Sequence, residues 1–263
     1  MVFLQSYGVT PTQCMKIYYR YGQNSIPIVR ENPYVLCEDI SSFGFRTADQ
    51  IAKNLGIEKD SPFRIQSGIK FVVNATSGLG NTCMPLEKLL YEAVQTLEVE
   101  RDQILDNVRT LVLNDALMVD DIDGVQCAFM PSYWHAEMNV ARRILTMASF
   151  PYQKLSVKPD EFINEYETNQ AITLHDLQKE AIRGIADHGL EVITGGPGTG
   201  KTTIIKCILA MLDKAGQKVL MAAPTGRAAK RMTETTGIES KTIHRLLDLG
   251  ITDDGEDIGG DGQ

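Results

Sequence analysis

The stretch Glu191–Thr202, EVITGGPGTGKT, decides how the second half of this chain folds. A short apolar run leads into Gly195, and the pattern G-x-x-x-x-G-K-[ST] is complete from Gly195 to Thr202. Glycines let consecutive backbone N–H groups turn inward around phosphate oxygens, and the N-terminus of the following helix favours anions. The sequence therefore predicts a phosphate-binding loop between a buried strand, Glu191–Thr194, and a helix, Thr202–Ala215.

The segments around this loop alternate between helix and strand. An amphipathic helix is predicted over Leu174–Asp187, a second strand over Lys218–Ala222 and a further helix over Thr225–Thr235. Such alternation is typical of a parallel sheet with helices on its faces. Residues 171–247 are therefore predicted to form part of an α/β P-loop domain.

The loop assigns roles to particular side chains. Lys201 would reach the β- and γ-phosphates of ATP, and Thr202 would offer its hydroxyl to Mg²⁺. These two are the candidate catalytic residues, Thr202 is the candidate metal ligand, and ATP and Mg²⁺ are the expected cofactors. Further nucleotide contacts are predicted at Gly196, Gly198, Thr199, Gly200 and Thr203.

Gln178 lies about twenty residues ahead of the loop, on the predicted helix. A side-chain amide can both donate to and accept from an adenine edge, which would select ATP. An exposed helical glutamine more often has no such role, so the residues alone leave both interpretations open.

A carboxylate pair at the end of a further strand, needed for nucleotide hydrolysis in this kind of site, is missing after Lys201. The run LMVDD at 117–121 has that appearance, but it precedes the loop, so Asp120 and Asp121 are predicted to be hairpin-turn acids. The acids of the Gly-rich tail, residues 248–263, follow too short an apolar run to be held by a strand, and this tail is predicted to be disordered.

The first seventy residues contain an internal repeat. Leu4-x-x-Tyr7-Gly8-Val9 and Ile40-x-x-Phe43-Gly44-Phe45 share one pattern, and each is followed by a predicted helix. In the first helix Met15, Tyr18 and Tyr21 share one face, and Gly22 ends it. Residues 1–80 are therefore predicted to form an all-α tandem helix-hairpin-helix region.

Residues 81–150 are predicted to form a winged-helix-like unit. Two helices precede a pair of strands, Ala116–Val119 and Val125–Met130, and a last helix spans Glu137–Met147. Residues 151–170 are the predicted linker to the P-loop domain.

Charge is unevenly distributed along the chain. The formal net charge is -8, yet residues 1–71 carry +2 and residues 171–247 carry +4, against -8 for residues 72–170 and -6 for the tail. The acidic total therefore does not exclude phosphate contacts in the two basic blocks.

Candidate DNA contacts occur in both basic blocks. The hairpin glycines Gly8 and Gly44 would present backbone N–H groups to phosphates, with Arg46 and Thr47 beside the second. An all-helical interaction module is the alternative for this region. In the second block the predicted contacts are Thr225, Arg227, Thr242 and His244, and a solvated basic helix face is the alternative.

The five cysteines are scattered and show no metal-ligand spacing, so we expect buried, reduced thiols. No apolar run reaches the length of a membrane span, and the first residues lack the features of a signal peptide. A cytoplasmic protein is therefore expected.

Several motifs in combination resemble the RecD-like helicases, superfamily 1 enzymes related to the alpha subunit of exodeoxyribonuclease V. They are GGPGTGKTT, AAPTGRAAKRM and TIHRLL, with NPYVL and FGFRTADQIA upstream. The resemblance implies a RecA-like motor domain in a DNA-stimulated ATPase that translocates 5′ to 3′ on single strands. It further implies that Gln178 reads adenine and that Thr225 and Thr242 lie in DNA-contacting motifs.

Helicases of this family continue past TIHRLL into an Asp-Glu motif and a second motor domain. We therefore expect the N-terminal part of an ATP-dependent 5′–3′ DNA helicase, which by itself does not hydrolyse ATP. Its expected partner is single-stranded DNA, or DNA with a 5′ single-stranded end; whether a nuclease partner exists is left open. Without the later strands of the motor domain, its sheet would keep an unpaired edge and an exposed apolar face. We therefore expect poor solubility or association of the chain.

Two other functions remain as alternatives. One is a non-catalytic, nucleotide-responsive module that binds DNA or a partner. The other is a P-loop ATPase unrelated to DNA, for which substitution of Arg46, Thr225 and Arg227 would leave activity unchanged.

Overall fold

The computed structural model describes residues 2–152, 154–251 and 257–258. The chain divides into two units, with the division after Ala141. None of the helices in these ranges combines the length and the apolar character needed to cross a membrane.

The first unit is helical apart from one small sheet. Its elements are α1 Val2–Ser6, α2 Pro11–Tyr21, a 3₁₀ turn Gly22–Asn24, α3 Ser25–Glu31, α4 Val35–Asp39, α5 Phe45–Asn54, α6 Pro62–Ser77, β1 Cys83–Pro85, α7 Leu86–Leu97, α8 Arg101–Leu113, β2 Met118–Ile122 and β3 Val125–Phe129, followed by α9 Pro131–Ser149, which continues past the division.

The repeated motif forms two helical hairpins, α1–α2 and α4–α5. Gly8 has φ of +88°, a conformation that favours glycine, whereas Gly44 has φ of −91° and precedes α5 in extended geometry. Thr10 caps α2 in a capping box with Gln13. The two copies therefore match in sequence but only the first uses the left-handed glycine turn.

The face of α2 that packs inward differs from the predicted one. Cys14 and Ile17 are fully buried, whereas Met15 is 46% and Tyr18 51% exposed. Both pairs have helical i, i+3 spacing, so periodicity alone does not distinguish two neighbouring stripes. Of the face that Met15, Tyr18 and Tyr21 were predicted to share, only Tyr21 is half-buried, so this face is not the one that packs inward.

A three-stranded antiparallel sheet of order β1-β3-β2 packs with α6 and α7, and α8 packs against these two helices. The β2–β3 hairpin turns at Asp123 and Gly124, whose φ angles of +53° and +83° suit the tight two-residue turn that an Asp-Gly pair favours. From α6 to β3 the elements therefore follow the order helix, strand, helix, helix, strand, strand. The two predicted helices and two predicted strands are present, and the structure adds α6 and β1 to them.

One hydrophobic core joins the hairpin region to this helix–sheet part. Tyr34, Phe45 and Ala48 share it with residues of α6 to α8 such as Leu89 and Ile104. The predicted boundary between residues 80 and 81 therefore runs through a continuous core.

A buried ion pair between Asp49 and Arg64 crosses this core. Their side chains are 10% and 6% exposed, and Arg64 Nε donates to Asp49 Oδ1 at 2.8 Å. Tyr34 donates its hydroxyl to the same oxygen, and Lys53 Nζ lies 3.0 Å from the other. Burial acts to raise the pKa of Asp49, but the hydrogen bonds from Arg64, Tyr34 and Lys53 outweigh it and hold that pKa below its usual value.

Arg64 also fixes two backbone segments. Its Nη1 donates to the carbonyl oxygens of Lys59 and Leu97, both at 2.9 Å. The guanidinium therefore links the segment before α6 and the end of α7 to α5.

The second unit contains the phosphate-loop pattern. Its elements are α10 Pro159–Gln170, α11 Asp176–Asp187, α12 Lys201–Lys214, β4 Met221–Ala223, α13 Gly226–Thr236, β5 Ser240–Thr242, α14 Ile243–Leu246, β6 Gly250–Ile251 and β7 Asp257–Ile258. Strands β4 and β5 are parallel neighbours, with Ala223 opposite Thr242. This agrees with the predicted alternation of helices and parallel strands.

Three segments of the second unit differ from expectation. Residues 191–194 form no ladder within the described residues, and Val192 is 77% exposed, so the predicted strand is absent. The predicted linker contains α10, whose Phe162 and Ile163 are buried against α11 and α12. Within the predicted tail, β6 and β7 pair antiparallel, and residues 252–256 and 259–263 lie outside the described residues.

We predict that Asp49→Asn lowers the free energy of unfolding by about 3 kcal/mol at neutral pH, because Arg64 keeps a buried charge with no counter-ion. Since the folded-state pKa of Asp49 is lowered, its contribution is fully present above about pH 4 and is lost as pH falls through the folded value. Urea unfolding of both proteins between pH 3 and pH 7 measures this difference.

The matched control is Asp106→Asn, which removes an exposed pair with Arg109 whose side chains are 71% and 67% exposed. Its expected effect is below about 1 kcal/mol at every pH. An equal loss in both variants would show that burial of the Asp49 pair does not matter.

Candidate functional site

The phosphate loop leads directly into α12. Gly198 and Gly200 have φ of +80° and +84°, so the loop uses backbone conformations that other residues rarely adopt. Gly200 is the N-cap residue and Lys201 begins the helix. The free N–H groups and the positive end of the helix dipole therefore meet at the loop, as an anion requires.

Side chains around the loop donate to its carbonyl oxygens. Lys201 Nζ lies 2.5 Å from the oxygen of Gly195 and 2.7 Å from that of Gly196. Thr199 Oγ1 also donates to Gly196, at 2.9 Å. A phosphate offers Lys201 a charged acceptor in place of two neutral ones, and charge-assisted bonds are the stronger.

Gln178 contacts the loop from α11. Its Nε2 donates to the carbonyl of Thr199 at 3.1 Å, while its Oε1 accepts from the backbone of His175 at 2.9 Å. One N–H and one lone pair of the amide remain for a further partner. The glutamine singled out by its position in the sequence therefore touches the loop across 21 residues of chain.

A cleft of about 600 Å³ opens between α11 and the loop. Gln178, Thr199 and Lys201 line it, together with Glu180 and Glu191. Its volume lies in the range of small-molecule sites. No sequence motif indicated these two glutamates, because they come together only where the segment 191–194 runs beside α11.

Thr202 occupies the first turn of α12, where it is exposed, and Thr203 beside it is half-buried. A smaller cleft of about 220 Å³ joins α12 to α13, and Thr202, Ala228 and Arg231 line it. The candidate Mg²⁺ ligand and the basic helix α13 are thus neighbours within this unit.

Thr225 and Thr242 hold equivalent places after the two parallel strands. Thr225 Oγ1 accepts from the backbone of Ala228 and caps α13, and Thr242 Oγ1 accepts from that of Arg245 and caps α14, both at 3.2 Å. These caps lie at the carboxyl ends of neighbouring strands, the edge at which ligands of open α/β sheets sit. Both threonines therefore have a structural role alongside the predicted contact with DNA.

Cations surround these caps. Arg227 and His244 are exposed, as predicted for residues that contact DNA. A cleft of about 560 Å³ between α13 and β5 is lined by Lys230, Lys241 and Arg245, among others. Lys241 was missed because its strand is only three residues long and gives no clear alternation.

The first unit carries the other predicted contacts with DNA. Gly8 and Gly44 are exposed in their hairpins, Arg46 is exposed on α5, and Thr47 is half-buried. Asn54 Nδ2 donates to the carbonyl of Tyr7 at 3.0 Å and ties the second hairpin to the first. These residues stay predictions of contact.

Asp120 and Asp121 serve the β2–β3 hairpin. Asp121 accepts from the backbone of Gly124 at 2.8 Å, and Asp120 accepts from Trp134 Nε1 at 2.9 Å. Asp120 also accepts from the backbone of Asp121 at 2.8 Å. Both acids belong to the hairpin, as predicted, but they lie in strand β2 rather than in its turn, and only Asp121 reaches the turn through Gly124.

The cysteines are suited to packing rather than chemistry. All five are free thiols, and Cys14, Cys127 and Cys207 are buried. Burial raises the pKa of Cys207 to about 11, whereas a reactive thiol needs a lowered pKa.

Comparison with known proteins agrees with this two-part arrangement. A family model described as the ATP-dependent RecD2 DNA helicase HHH domain matches residues 1–83, and an AAA domain model matches residues 178–259. The resemblance to RecD-like helicases is confirmed. The RecD-like match thus covers both the hairpin repeat and the phosphate loop.

Individual relatives match over different lengths. The chain is 28% identical to the ATP-dependent RecD2 DNA helicase of Deinococcus radiodurans over 94% of its own length, which is 35% of that protein. It is 30% identical to the RecBCD enzyme subunit RecD of Mycolicibacterium smegmatis over 45% of the chain and 24% of the relative. DNA-binding protein SMUBP-2 of Mus musculus is 36% identical over 39% of the chain and 10% of that protein. The chain therefore spans about a third or less of the length of these relatives.

We predict that Gln178→Ala weakens binding of MgATP about tenfold, because its hydrogen bond to the loop carbonyl of Thr199 and the proposed contact with the base are both lost. Binding of inorganic tripolyphosphate should weaken less, since it has no base to contact. Titration calorimetry with both ligands measures the difference.

Gln217→Ala is the control, because this exposed glutamine follows the opposite end of α12 and should leave both affinities unchanged. If Gln178→Ala weakens the binding of ATP and of tripolyphosphate equally, Gln178 does not recognise adenine and its role is limited to supporting the loop.

Proposed function

We propose that this chain supplies the ATP-binding surface and part of the DNA-binding surface of an ATP-dependent 5′–3′ DNA helicase. The observation that carries the proposal is a complete phosphate loop beside a basic helix, α13, whose cap lies at the ligand-binding edge of parallel strands. The match to a RecD2 helicase along 94% of the chain supports it. The 5′–3′ direction of translocation is proposed only from the resemblance to RecD-like helicases.

In this proposal each residue of the loop has a definite task. Lys201 leaves the loop carbonyls and holds the β- and γ-phosphates, while the backbone N–H groups from Gly198 to Thr202 surround them. Thr202 would offer its hydroxyl to Mg²⁺, and the ion would supply positive charge beside the phosphates. The free half of the Gln178 amide contacts adenine.

The DNA contacts are proposed in both units. Arg227 and His244 hold phosphates beside the capped helices, and hairpin glycines Gly8 and Gly44 present backbone N–H groups without reading the base sequence. The α6-to-β3 part adds a winged-helix-like unit, and its order of helices and strands supports that interpretation. Single-stranded DNA, or a duplex with a 5′ single-stranded end, is the proposed substrate.

A specific observation favours binding without turnover for this chain by itself. After Lys201, the described residues contain no carboxylate pair at the end of a strand, and Asp120 and Asp121 are engaged in the hairpin of the other unit. Hydrolysis needs such a group to orient water. We propose that the chain binds nucleotide and DNA without completing the cycle.

We predict no steady-state ATP hydrolysis by the purified chain above the level of Lys201→Ala, with or without single-stranded DNA. A parallel titration with MgATP should show binding by the unsubstituted chain and a large loss in the variant. Turnover that rises with DNA and disappears in Lys201→Ala would show that the hydrolytic carboxylate lies within these residues.

We predict that Arg227→Ala weakens binding to single-stranded DNA and reduces the slope of log K against log salt by about 0.7, because one phosphate contact is lost. MgATP affinity should not change. Lys218→Ala removes an equally exposed cation outside α13 and β5 and should have little effect. If both variants bind DNA as the unsubstituted chain does, the proposed contact at α13 is wrong; if the unsubstituted chain does not bind DNA at all, the ATPase unrelated to DNA becomes the better function.

A further inference from the structure

The outer surface of α2 carries exposed aromatic rings next to cations. Tyr19 is 79% exposed, Tyr18 51% and Met15 46%, and Lys16 and Arg20 are exposed beside them. Met15 neighbours both tyrosines at helical spacing, and Lys16 neighbours Tyr19 and Arg20. These five residues are called the α2 face.

Neither ring stacks on another aromatic side chain in the part of the chain that the structure describes. Among the described residues, neither Tyr18 nor Tyr19 makes a ring contact, and neither hydroxyl makes a hydrogen bond. The helix is already anchored by Cys14 and Ile17 on its opposite side. Adjacent exposed rings on a well-anchored helix therefore form a surface available to a partner.

The charge around the rings is positive. The first thirty residues contain Lys16, Arg20 and Arg30 and no acid, within a chain of net charge -8. Asp39 pairs with Arg20 at 3.2 Å, whereas Lys16 has no ion pair in the described part of the chain. The partner that suits this surface is anionic.

An anion with flat, accessible rings fits both properties. Every nucleobase has a face on which an aromatic side chain stacks, and a single strand leaves those faces accessible beside its phosphates. A duplex hides its base faces, and an acidic peptide would satisfy the cations without using the rings.

We propose that the α2 face binds single-stranded nucleic acid, with Tyr18 and Tyr19 stacked on bases and Lys16 and Arg20 against phosphates. The site is additional to the hairpin glycines, which offer only backbone N–H groups. It rests on the proposed function only in that DNA is the ligand already expected.

The test is fluorescence anisotropy of a labelled oligo-dT strand titrated with the whole chain. Replacing both tyrosines, Tyr18→Ala with Tyr19→Ala, should weaken binding about tenfold or more, the loss expected from removal of base stacking. Tyr18→Phe with Tyr19→Phe keeps the rings and should bind as the unsubstituted chain does. Thermal unfolding should be unchanged in both, because the rings are exposed.

Tyr91→Ala is the matched control. Tyr91 is 68% exposed on α7, where Glu92 pairs with Lys88 and Glu87 pairs with Arg101, so the charge beside this ring is balanced. Its loss should leave DNA affinity unchanged. Lys16→Ala should weaken binding and lower the salt slope.

An abasic strand of the same length separates stacking from charge. The unsubstituted chain should bind it more weakly than oligo-dT, and the double alanine variant should bind the two strands alike. Equal affinity of the double alanine variant and the unsubstituted chain for oligo-dT overturns the proposal. So does tyrosine-dependent binding of a poly-glutamate peptide as tight as that of oligo-dT, which would assign the face to an acidic protein.

The same titration judges the two proposals separately. If Arg227→Ala weakens binding and the double alanine variant does not, the proposed function stands and the α2 face is no site. If the double alanine variant weakens binding and Arg227→Ala does not, the α2 face stands and the contact at α13 is wrong.

Discussion

The buried guanidinium of Arg64 is the constraint on which the first unit depends. A buried charge is tolerated only where it is paired and its donors have hydrogen-bond acceptors. The Asp49 carboxylate and the carbonyl oxygens of Lys59 and Leu97 are the acceptors for Arg64. These partners come from three segments, so their arrangement around α6 is fixed. The second hairpin and the helix–sheet part consequently share one core. Helix α2 packs in a separate core, where Cys14 and Ile17 join residues of the second hairpin such as Phe43 and Ile51.

The phosphate loop of the second unit is held in a comparable way, through its carbonyl oxygens. Lys201, Thr199 and Gln178 donate to them, and this leaves the backbone N–H groups of the loop free for an anion. The amide of Gln178 that binds Thr199 also borders the cleft. In the proposed ATP site, this one side chain would therefore link contact with the base to the position of the loop.

Elements whose conformation is set by neighbouring residues could be predicted from the sequence, and elements that depend on distant residues could not. The loop, α11, α12 and the Asp123–Gly124 turn follow from glycine conformation and helical spacing within a few residues. Residues 191–194 were predicted as a strand from their apolar character, but a strand forms only where another strand pairs with it. The helix α10 was missed because Phe162 and Ile163 have a reason to be apolar only once α11 and α12 lie against them.

The sequence by itself determined the phosphate loop and the RecD-like pairing of a hairpin repeat with it, because both rest on short motifs whose geometry is local. Only the tertiary structure decided which stripe of α2 is buried, leaving Tyr18 and Tyr19 exposed. It alone paired Asp49 with Arg64 across 15 residues, and Arg64 with Leu97 across 33. The buried stripe of α2 and the ion pair depend on contacts between residues that are distant in the sequence. The free energy of burying a charge or a ring is set by the groups that pack against it.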